Sequence, residues 1–119
     1  MSLNLLANKL HESAVTKGWY EKSQDEDAFV ERMCNNLHDE ISELHEAWRN
    51  GKLREPCDKA KMMFDAGLPV LSCLEEELAD IIIRTLDNAA YLSVNIDRAV
   101  ETKDAYNHHR AYRHGGKKS

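Results

Sequence analysis

The chain has 119 residues, 42% of them hydrophobic, with only 5 Gly and 2 Pro, and a formal net charge of -5. That is the length of one domain, and so few chain-breaking residues point to an all-α fold. An acidic balance argues against sequence-independent nucleic-acid binding, which needs a basic surface to neutralise phosphates, and no apolar run is long enough to span a membrane.

A first helix is expected over 3–17, with Leu3, Leu6, Leu10 and Ala14 inward and Gly18 as its stop. Trp19 and Tyr20 follow in a short connection, placed to pack beneath the turn or to close over a ligand. The second helix starts after the polar cluster at 23–27 and continues to Gly51. Advancing about 100° per residue puts Phe29, Val30, Met33, Leu37, Leu44, Ala47 and Trp48 on one apolar arc. Trp48 is therefore expected in the core. Glu40 falls inside that arc and Glu43 at its margin, with Asp39 and Glu46 further round.

The connection over 52–72 is long for a simple bundle, and such loops often cover a site. A short helix capped by Asp58 and running through Lys61, Met62 and Phe64 fits there, stopped by Gly67 and Pro69. The next helix, from 71 or 73 to 92, reads as mostly buried, since Leu74, Leu78, Ile81, Ile82, Ile83 and Leu86 cover well over half its circumference. Glu77, Asp80 and Arg84 share the remaining strip, and Glu76 points further round. The last helix begins after Asn95 and extends to about 114. Ile96 and Val100 set its inward face, which Lys103, Asn107, Arg110 and His114 continue, with Tyr106 alongside. Residues 1–114 are thus read as one helical domain and 115–119 as a tail.

Two acidic pairs at helical spacing, Glu40-x-x-Glu43 and Glu77-x-x-Asp80, dominate the chemistry. A carboxylate facing a core must be protonated, hydrogen-bonded or matched by positive charge. If the two helices pack side by side, each like-charge pair near 4 Å costs about 4 kcal/mol at an effective dielectric of 20. Ion pairs to Arg84, Lys103 or Arg110 would relieve part of this. The alternative is a hard divalent ion, Mg²⁺ or Mn²⁺, which suits an all-oxygen donor set. A neighbouring row of Lys, Asn, Arg and His suits a polyphosphate held between metals and donors.

Other site chemistries are disfavoured. The 6 histidines contain no H-E-x-x-H pattern, and no Asp or Glu stands three residues before a His. No Gly-rich phosphate loop is present. Cys34, Cys57 and Cys73 form no C-x-x-C pair, which is the usage of a reducing compartment. With no charged-then-apolar leader at the N-terminus, a cytoplasmic location is expected.

Taken together, these residues resemble the MazG-like all-α nucleoside triphosphate pyrophosphohydrolases, whose motif is E-E-x-x-E followed by E-x-x-D. Here it reads Asp39-Glu40-Ile41-Ser42-Glu43 and Glu77-Leu78-Ala79-Asp80. The similarity continues through Ile81 to Asp87 and from Lys103 through Asn107 and Arg110 to Lys117, covering nearly the whole chain. The resemblance implies a four-helix bundle completed by a homodimer or homotetramer. It also implies Mg²⁺, with Mn²⁺ as substitute, on Glu40, Glu43, Glu77 and Asp80. Lys103, Tyr106, Asn107, Arg110 and His114 would contact the nucleoside triphosphate substrate, and Asp39, Glu40 and Lys103 would serve catalysis.

Two departures from the pattern matter. Asp39 replaces the first glutamate, a position that can orient the attacking water, and the span from Glu43 to Glu77 is long. The implied reaction converts an NTP or dNTP and water to the monophosphate and pyrophosphate, in nucleotide-pool house-cleaning, with no nucleic-acid or membrane partner. The competing readings are a non-catalytic helical oligomerisation or binding module, and a pyrophosphohydrolase of a specialised nucleotide such as phosphoribosyl-ATP.

Overall fold

A computed structural model describes residues 2–22 and 24–110. They form five helices, α1 Leu3–Thr16, α2 Glu26–Arg49, α3 Ala60–Asp65, α4 Cys73–Tyr91 and α5 Ile96–His108. The fold class is all-α as expected, and four of the five are the predicted long helices. No helix among the described residues is long and apolar enough to cross a membrane.

Local sequence sets the helix ends. Asp25 caps α2 by accepting from the Ala28 amide at 2.8 Å, and Asn95 caps α5 through the Arg98 amide. Ser72 and Glu75 form a reciprocal capping box at the start of α4. Gly51 ends α2 at φ +69°, with its amide on the Trp48 carbonyl and the Lys52 amide on the Ala47 carbonyl. The same pattern closes α4, but Ser93 takes the left-handed position there at φ 58°. The short helix differs from expectation. Lys59, not Asp58, is the N-cap of α3 and makes no side-chain cap bond, because an ammonium has no acceptor for the helix amides, and the Asp58 carboxylate lies 3.3 Å from that ammonium.

Helix α4 lies centrally, packed against both α1 and α2. The joint of these elements is aromatic. Tyr20 packs on His11 and Tyr91 with ring centroids 4.6 and 4.9 Å away, and Phe29 meets Tyr91 at 4.2 Å. His11 Nδ1 lies 2.8 Å from Asp87 Oδ1, and the Tyr20 hydroxyl donates to Asn88 at 3.3 Å. Tyr20 thus packs beneath the turn as its position suggested, whereas Trp19 is 65% exposed.

The core is thin. Its buried hydrophobic residues are Ala7, Phe29, Cys57, Leu86 and Ala89. Leu78, Ile82 and Ile83 on α4 are exposed although the apolar wrap of that helix predicts burial. Trp48 is 60% exposed and stacks on His45, so its expected core role does not hold within one chain. An apolar arc records which side chains would gain from burial, and α4 covers only part of the arc of α2.

Helix α5 is tied to α1 at one end. Asp97 accepts hydrogen bonds from the Ser2 hydroxyl at 2.7 Å and from the Leu3 and Asn4 amides at 2.8 and 3.1 Å. Those bonds hold its carboxyl below the usual range, so the clamp strengthens folding above the ordinary carboxylate pKa and is lost as pH falls through the lowered one. Asp97→Asn is expected to lower the melting temperature and to speed amide exchange in α5 more than in α4. Unchanged α5 exchange would contradict this anchoring role.

Candidate metal and phosphate site

Helices α2 and α4 bring Glu40, Glu43 and Glu77 together, with one carboxylate oxygen of each within 4.8 Å of the others. Each arrives by helical spacing. Glu40 and Glu43 are three apart on α2, so they share a side that faces α4, and Glu77 leads one turn into Asp80 on the opposing surface. Asp80 stands outside the 4.8 Å set. It still feels the cluster, because burial first, and the Glu40 and Glu76 carboxylates next, raise its pKa.

Burial divides the carboxylates. Glu40 is 6% exposed, and its Oε1 accepts from Arg84 Nε at 2.6 Å. Its Oε2 is buried without a hydrogen-bond partner among the described residues, as is Oε2 of Glu77. Glu77 has no cation at ion-pair distance among the described residues, and its pKa is pushed up to about 7 by desolvation first and the Glu43, Glu76 and Asp80 charges after it. Glu43 is exposed, yet it is raised as well, by partial desolvation against its neighbours and then by the Glu40 charge.

Glu76 was expected to point away, yet it is as buried as Glu40, at 6% exposure. Its Oε1 receives the Lys59 ammonium at 2.6 Å, and its Oε2 is another buried oxygen without a partner among the described residues. The missed signal was spacing. Glu76 is four residues before Asp80, so it flanks the same strip that Glu77 reaches at three. Lys59 carried no comparable signal, since only the folding of the 52–72 connection places it there.

That connection closes on itself at its base. Pro56 and Ser72 form an antiparallel bridge, with Cys57 N donating to the Leu71 carbonyl and Cys73 N to the Glu55 carbonyl, both at 2.9 Å. The loop and the acidic helices border an open cavity of about 400 Å³, lined by Glu43, Asn50, Lys52, Lys59, Glu76 and Glu77. A second cavity, about 250 Å³, is bordered by Asp80, Arg84 and Trp19.

The basic residues of α5 are not brought to this cluster within the chain. Lys103, Tyr106 and Asn107 are exposed, and no hydrogen bond or ion pair among the described residues links them to α2 or α4. Lys103 and Arg110 instead flank the Tyr106 ring at 5.0 and 5.6 Å. Lys103 and Tyr106 border an open cavity of about 600 Å³ together with Arg98 and Val94. Asp39 is exposed beside Glu40. His114 lies outside the described residues.

The donor set fits a hard divalent cation. It is all oxygen, and two of its atoms are buried without partners. Arg84 and Lys59 each neutralise one acid, Arg84 taking Glu40 on α2 and Lys59 taking Glu76. The second oxygen of Glu40, with Glu43, Glu77 and Asp80, remains for an ion. In comparison with known proteins, no family model, no curated protein and no solved structure matches this chain.

Proposed function

We propose that this chain is a Mg²⁺-dependent nucleoside triphosphate pyrophosphohydrolase, with Mn²⁺ able to substitute, that releases pyrophosphate from an NTP or dNTP. The observation that supports this reading is the meeting of Glu40, Glu43 and Glu77 oxygens within 4.8 Å, with buried unpartnered atoms on Glu40 and Glu77. A cluster that raises its own pKa values is costly to fold, and a binding role for divalent ions accounts for it.

Glu40, Glu43 and Glu77, with Asp80 beside them, would hold the ion. Bound there, Mg²⁺ supplies Lewis acidity toward phosphate oxygens and offsets charge on the leaving pyrophosphate. The chain's own tasks are placement and proton handling. Arg84 fixes the orientation of Glu40 through its 2.6 Å bond. Asp39, to which the resemblance gives the orientation of water, is exposed and lies about 100° round the helix from Glu40. Trp19 lines the cavity that Asp80 also borders, and would be the candidate to stack on a base.

A homodimer or homotetramer belongs to this reading. Exposed Leu78, Ile82 and Ile83 leave apolar surface uncovered on the helix that carries Glu77 and Asp80. Association there would cover it, and would be the route by which Lys103, Asn107 and Arg110 of a neighbouring copy reach the phosphates.

The rival is a non-catalytic helical module, favoured by the Arg84–Glu40 and Lys59–Glu76 ion pairs. A panel of standard and oxidised nucleotides with Mg²⁺, and phosphoribosyl-ATP beside them, separates the readings. Pyrophosphate release that disappears in Glu43→Gln and Asp80→Asn with helicity intact is the expected result. Orthophosphate as the sole product would indicate a phosphatase, and no product together with no Mg²⁺-induced rise in melting temperature would favour the module.

A further inference from the structure

The wall of the acidic cavity that faces Glu76 and Glu77 comes from the connection between α2 and α4, and it carries Lys52 and Lys59. The Lys59 ammonium has three N–H donors. Two have partners, Glu76 Oε1 at 2.6 Å and Asp58 Oδ1 at 3.3 Å. The third is free to turn toward the cavity, since the Lys59 side chain is 53% exposed. Glu76 is a fixed anchor, 6% exposed and rooted in the first turns of α4.

The loop that delivers Lys59 is braced where it leaves and rejoins the helices. Leu74 N donates to the Leu53 carbonyl at 2.9 Å, beside the two bonds that flank the Pro56 and Ser72 bridge. A lysine that served stability alone would gain little from this placement, because a half-exposed ammonium on a buried carboxylate repays the desolvation of that carboxylate poorly. The unpartnered Glu76 Oε2, buried at the same cavity wall, shows that the pair does not satisfy its own acid.

We propose that Lys59 is a phosphate-binding residue of this site, its ammonium anchored by Glu76 and donating its free N–H to a non-bridging oxygen of the pyrophosphate portion of the nucleotide. The inference rests on the reading of the cavity as a metal and polyphosphate site. It assigns a cation that the same chain supplies, in addition to those on α5. The hydrogen bond to Glu76 keeps the Lys59 amine charged well beyond the ordinary lysine range, so the donor is present at every pH at which the protein would work.

The test is calorimetric titration of the full chain with Mg²⁺ alone and with pyrophosphate in saturating Mg²⁺. Lys59→Met strands a buried Glu76 charge and risks misfolding, so the decisive variant is Lys59→Met with Glu76→Gln. That double change removes one positive and one negative charge and leaves the net charge of the cavity unaltered. It is expected to weaken pyrophosphate binding about tenfold or more, the worth of a charge-assisted hydrogen bond, while Mg²⁺ affinity is retained. Lys59→Arg is expected to keep most of the pyrophosphate affinity. Undiminished pyrophosphate binding in the double variant, with Mg²⁺ bound as in the parent, would make Lys59 a structural brace and overturn the assignment. If the unaltered chain binds neither Mg²⁺ nor pyrophosphate, the site reading itself fails and Lys59 falls with it.

Discussion

Glu77→Gln is expected to make the metal-free protein more stable at pH 8 and to abolish both Mg²⁺ binding and pyrophosphate release. Stability and function oppose one another at this residue because the folded state gathers charge that the unfolded chain disperses. Glu77 titrates at about 7 in the fold against 4.5 ordinarily, owing to desolvation first and to Glu43, Glu76, Asp80 and Glu40 after it. Between those values the folded protein holds a proton that the unfolded chain has released. The resulting stabilisation is fully present below the ordinary pKa and is lost as pH rises through 7. The slope is at most about 1.4 kcal/mol per pH unit, reduced by solvent at this half-buried position.

The glutamine variant has no such proton to lose, so its melting temperature should depend less on pH between 5 and 8 than the parent's, a range taken around the value of about 7. The gain should vanish when Mg²⁺ is added, since the ion stabilises only the parent. Thermal unfolding at several pH values, with and without Mg²⁺, reads all three effects. A variant that is less stable than the parent at pH 8 without metal would show that Glu77 is held by favourable contacts and not by a need for cations.

Arg84→Met is expected to have the second large effect, in the opposite direction. It deprives Glu40, only 6% exposed, of its 2.6 Å guanidinium partner. Breaking a buried pair by removing one member costs about 3–5 kcal/mol, and the partial exposure of the Arg84 side chain brings the figure below that range, to about 2–3 kcal/mol. A divalent ion on the neighbouring oxygens would resupply part of the lost charge. Mg²⁺ should therefore raise the melting temperature of Arg84→Met by more than that of the parent. Denaturant unfolding with and without Mg²⁺ is the measurement, and an equal Mg²⁺ effect in both proteins would separate Glu40 from the ion site.

The two variants also divide the readings of the cluster. In a non-catalytic module the carboxylates are structural, so Glu77→Gln and Arg84→Met would change stability alone and Mg²⁺ would alter neither. In the enzyme, metal response and turnover move together. The oligomer enters independently. If Leu78, Ile82 and Ile83 are covered by a second copy, their exposure in one chain is the free state of an interface.

Much of the fold was legible in order because helix ends are local. Asp25, Ser72 and Asn95 cap helices through amides two or three residues away, and Gly18 and Gly51 stop them with positive φ, all within one turn of chain. The carboxylate pairs were legible for the same reason, since three-residue spacing on a helix is itself a statement about direction. The errors lie where direction is not enough. Trp48 was assigned to a core that no second element supplies, and Glu76 was set aside although α4 buries it beside Asp80. Asp58 was given a cap that it yields in favour of Lys59.

The sequence by itself determined the helical class, the starts of the long helices, the stops of α1, α2 and α4, and the alignment of Glu40 with Glu43 and of Glu77 with Asp80, because each depends on contacts within a few residues; α5 stops at His108, short of the expected end near 114. Only the tertiary structure decided that three of those carboxylates meet, that Arg84 and Lys59 are the cations beside them, and that the basic side chains of α5 stand apart on a helix anchored to α1. Those outcomes turn on which surfaces pack across long stretches of chain. Periodicity names the face that a side chain occupies, but the partner of that face is chosen by the balance of burial, charge and loop geometry over the whole molecule.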